Sequence, residues 1–123
     1  MEKVNLAQKL SLFSDQYSPK IIGEVNDLHV KVVKLQGDFM WHHHDVEDEL
    51  FFVVKGTLRM RVRENGSERE FVIQPGEFII IPHGVEHFPS AEEETHVMLL
   101  EPKSTLNTGN VESERTVREL QEI

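Results

Sequence analysis

The sequence contains no cysteine. Disulfides and thiolate metal ligands are therefore excluded, and any metal centre must be built from His, Asp or Glu. A cysteine-free chain fits a reducing compartment, so a cytoplasmic location is the expectation. Basic residues are in deficit: 13 Lys and Arg against 22 Asp and Glu leave a formal net charge of −9. Such a surface repels phosphate backbones, and no helix-turn-helix pattern offsets it, so no nucleic-acid partner is expected. Long apolar runs are missing as well. None approaches the roughly 20 residues that a bilayer-spanning helix needs, and no membrane partner is expected. The opening stretch, MEKVNLAQKLSLF, has no hydrophobic block of the signal-peptide kind.

What is present suits one domain. A chain of 123 residues can bury a core without staples. Residues 5–14 set Leu6, Leu10 and Phe13 at helical spacing, which predicts a short amphipathic helix ended by Tyr17-Ser18-Pro19. From Lys20 the period is that of strands, expected over 20–25, 28–35, 39–44, 50–55, 57–63, 68–73, 78–81, 86–90 and 95–101. Asn65-Gly66 marks a hairpin. Residues 50–55 are apolar enough to predict burial on both faces. Residues 57–63 alternate, with Leu58, Met60 and Val62 inward and Arg59, Arg61 and Arg63 outward as a solvated stripe. The acidic residues 92–94 read as a turn between the last two strands. Many short strands with turns between them indicate an all-β sandwich or barrel. The expected division is a helix and arm over 1–19, a barrel over 20–101 and a polar tail over 102–123. In the tail Val117, Leu120 and Ile123 form a weak helical stripe.

The chemistry concentrates between Gly37 and Gly56, in GDFMWHHHDVEDELFFVVKG. Imidazole and carboxylate are ligands that zinc, iron, nickel, copper and manganese accept. A strand over 39–44 sets His42 and His44 on one face and turns His43 and Trp41 to the other. Glu49 opens the next strand and can supply a carboxylate across the turn. A second stretch, from Gly76 to His87, is a glycine turn, an apolar strand, Pro82-His83-Gly84 and a histidine that starts the following strand.

Together these stretches resemble the cupin family. Its first motif is a glycine, a His-x-His pair, a glutamate after four residues and a glycine after six more; here stand Gly37, His42, His44, Glu49 and Gly56. Its second is a glycine, five residues, Pro-x-Gly, two residues and a histidine; here stand Gly76, Pro82, Gly84 and His87. Two departures occur: four residues rather than five separate Gly37 from His42, and Ala91 stands where asparagine is frequent. The resemblance implies a single-domain jelly-roll β-barrel with a short N-terminal helix. It also implies a divalent transition metal (Fe, Mn, Ni, Zn or Cu) held by His42, His44, Glu49 and His87, with coordination positions left open, and a homodimer.

The expected function is a small metal-dependent enzyme, oxygenase-like or an isomerase with the oxygenase favoured, acting on a small organic molecule, with Glu49 as catalytic base. The alternative is a non-catalytic module that binds a sugar or small acid around a structural metal. Met40, by its phase, is expected to line the pocket. Phe51 and Val53 share the face of Glu49, as pocket wall or as plain core. Trp41 is expected to pack against other core residues or a subunit neighbour. His43 is expected to face away from the metal, His83 to sit exposed on its turn, and His29 to be a surface strand residue. His96 falls on a strand, with a pocket role as the lesser reading. Asp45, Glu47 and Asp48 read as loop solvation.

Overall fold

A computed structural model describes residues 1–123. It contains one short helix, α1 (Leu6–Leu10), and seven strands: β1 (Lys20–Val25), β2 (Leu28–Asp38), β3 (Glu49–Lys55), β4 (Leu58–Glu64), β5 (Ser67–Ile73), β6 (Phe78–Ile81) and β7 (Glu86–Pro102). All strand pairs are antiparallel. The strand order is β1-β2-β7-β3-β6, and β4 joins β7 to β5. This is the expected jelly roll with its N-terminal helix.

The arrangement turns on β7. Its second half lies between β2 and β3, with Val97 opposite both Val33 and Val53. Its first half pairs with β4, His87 standing opposite Val62. One strand thus joins both groups of strands into a single seven-stranded sheet, and the core lies inside the barrel it forms. Val33, Leu35, Phe51, Val53, Leu58, Met60, Val62, Ile73, Ile81, Val97 and Leu99 form a single buried cluster. These are the inward residues of a period-two pattern, and β4 shows why: Leu58, Met60 and Val62 are buried, while Arg59 and Arg61 reach out to Glu70 and Glu68. Asn65 and Gly66 both take positive φ and close the β4–β5 hairpin as expected.

Several details differ from the sequence reading. The helix stops at Leu10 instead of continuing to residue 14. Asn5 caps its first turn, and Phe13 instead lies under the ammonium groups of Lys20 and Lys34. β3 is buried on one face only, because Leu50, Phe52 and Val54 look outward and remain half-exposed. The acidic residues 92–94 make no turn, and β7 runs straight through them with their side chains in solvent. No strand forms over 39–44; residues 39–48 are irregular apart from one bridge at His42. The tail is not helical. It packs along the barrel and ends in a single parallel bridge between Glu122 and Ile21. No helix is long and apolar enough to cross a membrane.

Candidate metal centre

Four side chains meet inside the barrel from three parts of the chain. His42 and His44 come from the irregular loop. His42 exchanges two backbone bonds with His87, of 3.1 and 2.9 Å, and the Gly84 N–H donates to the His44 carbonyl at 2.7 Å. Glu49 starts β3 opposite Ile81, and His87 is the second residue of β7. One ligand atom from each of the four lies within 4.8 Å of the others, and all four residues are buried. His42 and His44 therefore converge as expected, although a loop brings them there.

The ring orientations favour a cation. Nδ1 of His42 lies 3.0 Å from the Met40 carbonyl, and Nδ1 of His87 lies 2.9 Å from that of Val85. A carbonyl only accepts, so each Nδ1 carries the proton and each Nε2 turns a bare lone pair inward. His87 Nε2 then faces Glu49 Oε1 at 3.1 Å, and His44 Nε2 faces the same oxygen at 2.8 Å. His44 Nε2 makes no hydrogen bond of acceptable geometry. Lone pairs gathered at this range need a proton or a metal ion between them. Burial, aided by the nearby His87, lowers the His42 pKa to about 4, so its ring is neutral at physiological pH, as a ligand must be. These residues fit a divalent metal ion, with three imidazole nitrogens and one carboxylate to hold it.

Behind Glu49 stands a buried carboxyl that the motifs do not contain. Glu101 is 2% exposed and forms a 2.7 Å ion pair with Lys31, itself 1% exposed. Burial and the adjoining Glu49 carboxylate push the Glu101 pKa well up, against the pull of Lys31. Burial also pushes Glu49 up, but the adjoining Glu101 and the imidazole edges of His44 and His87 that face it hold it well below the usual range. Of the two acids, Glu101 is the one pushed toward its protonated form and Glu49 the one held toward its ionised form. Glu101 Oε2 is buried and meets no hydrogen-bond donor. Period-two alternation from Val97 through Leu99 places Glu101 inward, and Lys31 falls inward with Val33 in the same way. This was the signal for both, and a charged residue among strand hydrophobics is easily taken for an edge.

A cavity opens beside the cluster, reaching His42 and Glu49 between Tyr17, Phe39, Phe51 and Leu99. It is narrow, ≈ 40 Å³, where one water needs roughly 10–15 Å³. Phe39 takes the place expected for Met40: its ring meets His42 edge-on at 5.4 Å and stacks on Tyr17 at 4.7 Å. Without a regular strand, the phase that assigned Met40 does not apply. Phe51 lines the cavity, while Val53 lies deeper as plain core. Trp41 packs on the outer side against Phe88 and under Arg63, whose guanidinium is 3.8 Å from its ring centre. His43 does face away, 3.0 Å from Asp45 and 3.5 Å from Glu86. His83 is exposed on its turn and held by Asp48 at 2.9 Å. His96 lies half-buried on an outer strand face, whereas His29, expected at the surface, shares the inward face of Lys31 and Glu101 and is half-buried there, away from the cavity. Arg59 and Arg61 are spent on acidic partners.

Comparison with known proteins agrees with this geometry. The chain is 43% identical to a cupin-2 domain containing protein from Shewanella frigidimarina, covering 81% of this chain and 94% of that one with a TM-score of 0.76. It is 35% identical over 66 residues to the uncharacterized protein YdbB of Bacillus subtilis, covering 54% of this chain and 56% of that protein. It is 33% identical over 60 residues to the 3-hydroxyanthranilate 3,4-dioxygenase of Nematostella vectensis, covering 49% of this chain but only 22% of that enzyme. The chain thus spans about half the length of the first of these curated relatives and about a fifth of the second. The family model of the Cupin domain matches residues 29–102, which include all four converging side chains and Glu101. This chain belongs to the cupin family.

Proposed function

We propose that the protein is a small metal-dependent oxygenase acting on a slim organic molecule. The observation that carries this reading is the convergence of four inward-turned ligand atoms at the end of a narrow cavity that reaches only His42 and Glu49. Similarity to a dioxygenase, limited to part of that enzyme, supports the same class. A divalent ion held by His42, His44, Glu49 and His87 would supply Lewis acidity and a binding place for substrate oxygen and dioxygen. The chain's own residues do the rest. Phe39 and Phe51 keep bulk water from the cluster. Glu49 accepts a proton from the substrate at Oε1, the oxygen that faces His44 and His87. Glu101, adjoining it and anchored by Lys31, holds the carboxylate in place.

The test is metal analysis of protein purified without added metal or chelator, followed by dioxygen uptake with a panel of small diols and thiols. One equivalent of transition metal and uptake that disappears in His42→Ala and His87→Ala support the reading. Stoichiometric metal with small-molecule binding but no turnover points instead to the binding module.

We also propose that two copies pair through the outer face of β3, β6 and β7. Leu50, Phe52, Met98 and Leu100 are half-exposed there, and Phe78 and Ile80 are 59% and 53% exposed. Cross-strand pairs place all six on one surface.

A further inference from the structure

The segment carrying His42 and His44 lacks the ladder that would fix it. After the bond from the Phe39 N–H to the Pro89 carbonyl, the bridge to His87 and the bond from Gly84 tie the backbone of residues 40–48 inward. Those bonds use the peptide groups of His42 and His44. The peptide groups of His43 point the opposite way, as they would in a strand, where the next strand takes them. No strand lies there. The tail does. The Asn110 N–H donates to the His43 carbonyl at 3.0 Å, and the His43 N–H donates to Asn110 Oδ1 at 2.8 Å. One residue thus supplies both bonds that a neighbouring strand would give.

Gly109 lets the tail come this close. A Cβ there would lie 2.2 Å from the His43 carbonyl oxygen and 3.1 Å from Cδ2 of His42. Its φ of +57° also belongs to the left-handed region. The tail is firmly seated around the clamp. Thr108 is fully buried, with its hydroxyl 2.6 Å from that of Thr116, and Asn107 bonds the backbone of Arg115 and Val117 at 2.8 Å each.

We infer that Gly109 and Asn110 are positioning residues of the metal centre: the tail acts as a one-residue strand that sets the aim of His42 and His44. The inference rests on the metal reading above, since aim matters only if the two rings act together on one ion. Backbone groups one residue from two ligands play the orienting part that outer partners play in metal sites, where their loss typically lowers affinity about 10–100-fold.

The experiment is a Co(II) titration of the metal-free protein, followed by visible absorption, in wild type and four variants. Asn110→Ala removes the Oδ1 bond and is expected to weaken Co(II) binding about 10-fold or more with a changed visible band. Asn110→Asp keeps an acceptor for the His43 N–H and is expected to restore the wild-type band. Gly109→Ala forces the tail off the loop and is expected to weaken binding at least as much. Arg118→Ala, in an exposed ion pair with Glu112 elsewhere in the tail, is the unchanged control. Amide hydrogen exchange on the metal-free proteins is the second readout. Faster exchange confined to residues 42–44 in Asn110→Ala supports positioning. Unaltered Co(II) affinity and band in Asn110→Ala, with only a lower melting temperature, overturns it. If the wild type takes up no Co(II), the metal reading fails on its own. The exchange data then decide the clamp, and unchanged protection at 42–44 in Asn110→Ala refutes it.

Discussion

Replacing Lys31 by Met removes a buried charge while nearly keeping the side chain's length. Lys31 and Glu101 are almost wholly enclosed and 2.7 Å apart, and Glu101 touches Glu49 on its other side. Removing one partner of such a pair leaves the other uncompensated, which typically costs about 3–5 kcal/mol. A domain of this size is stable by about 6–18 kcal/mol in all, so the loss is a substantial fraction. At about 4 °C per kcal/mol, the midpoint of thermal unfolding is expected to fall by about 12–20 °C at neutral pH. The sign of the pH dependence follows from Glu101. Its folded pKa lies above the unfolded value, so its contribution is complete in acid, below roughly pH 4.3, and is lost as pH rises through the folded value. Without Lys31 that folded value rises further. The defect is therefore smallest in acid, where both proteins carry the Glu101 proton. It grows as the pH climbs through the range where only Lys31 lets Glu101 ionise, by at most about 1.4 kcal/mol per pH unit. Adding Glu101→Gln to Lys31→Met removes the stranded charge and is expected to recover more than half the loss. Urea unfolding of the metal-free proteins at several pH values reads all of this. A Lys31→Met variant within about 1 kcal/mol of the parent at every pH behaves like the loss of an exposed pair and refutes the reasoning.

Tyr17 is the only tyrosine, and burial raises its phenol to about 12 from the ordinary 10. Its stabilising share is present below pH ~10 and lost as pH rises through that raised value, so ultraviolet titration is expected to show tyrosinate forming near 12; a midpoint at 10 means the cavity wall is open to water. Glu49→Gln keeps the size and an oxygen donor but not the charge. It is expected to retain some metal and lose most dioxygen uptake, and full activity with metal bound rules out Glu49 as the base. Phe78→Glu combined with Ile80→Lys is expected to turn a dimer into a folded monomer by light scattering. A wild type that is already monomeric at micromolar concentration dismisses the proposed interface.

The barrel was readable because its strands obey the two-residue period and its turns carry glycine. The β4–β5 hairpin is the plainest case, with Asn65-Gly66 at its tip and Leu58, Met60 and Val62 inward. The four converging residues were readable as spaced motifs, and the spacing held although the presumed strand at 39–44 did not form. What failed there was local: a loop obeys no period, so Phe39 rather than Met40 reaches the cavity. Glu101 and Lys31 were legible by phase, yet nothing in the motifs points to them. The clamp at Asn110 was beyond sequence reading. It joins residues 67 positions apart, and on the His43 side it uses only the backbone, which leaves no signature in side-chain pattern.

The dual pairing of β7 has a kinetic consequence. β2, β3 and β4 are all synthesised before β7, and each needs it as a neighbour. Until residues 86–102 have left the ribosome, the earlier strands have only the β1–β2, β4–β5 and β3–β6 pairings available, and these three pairs stay unconnected. Closure of loops this long makes for folding in milliseconds to seconds rather than microseconds. The same event that closes the barrel brings His87 to His42, His44 and Glu49. The four side chains are thus brought together by the event that closes the barrel, and only the tail remains to seat against them.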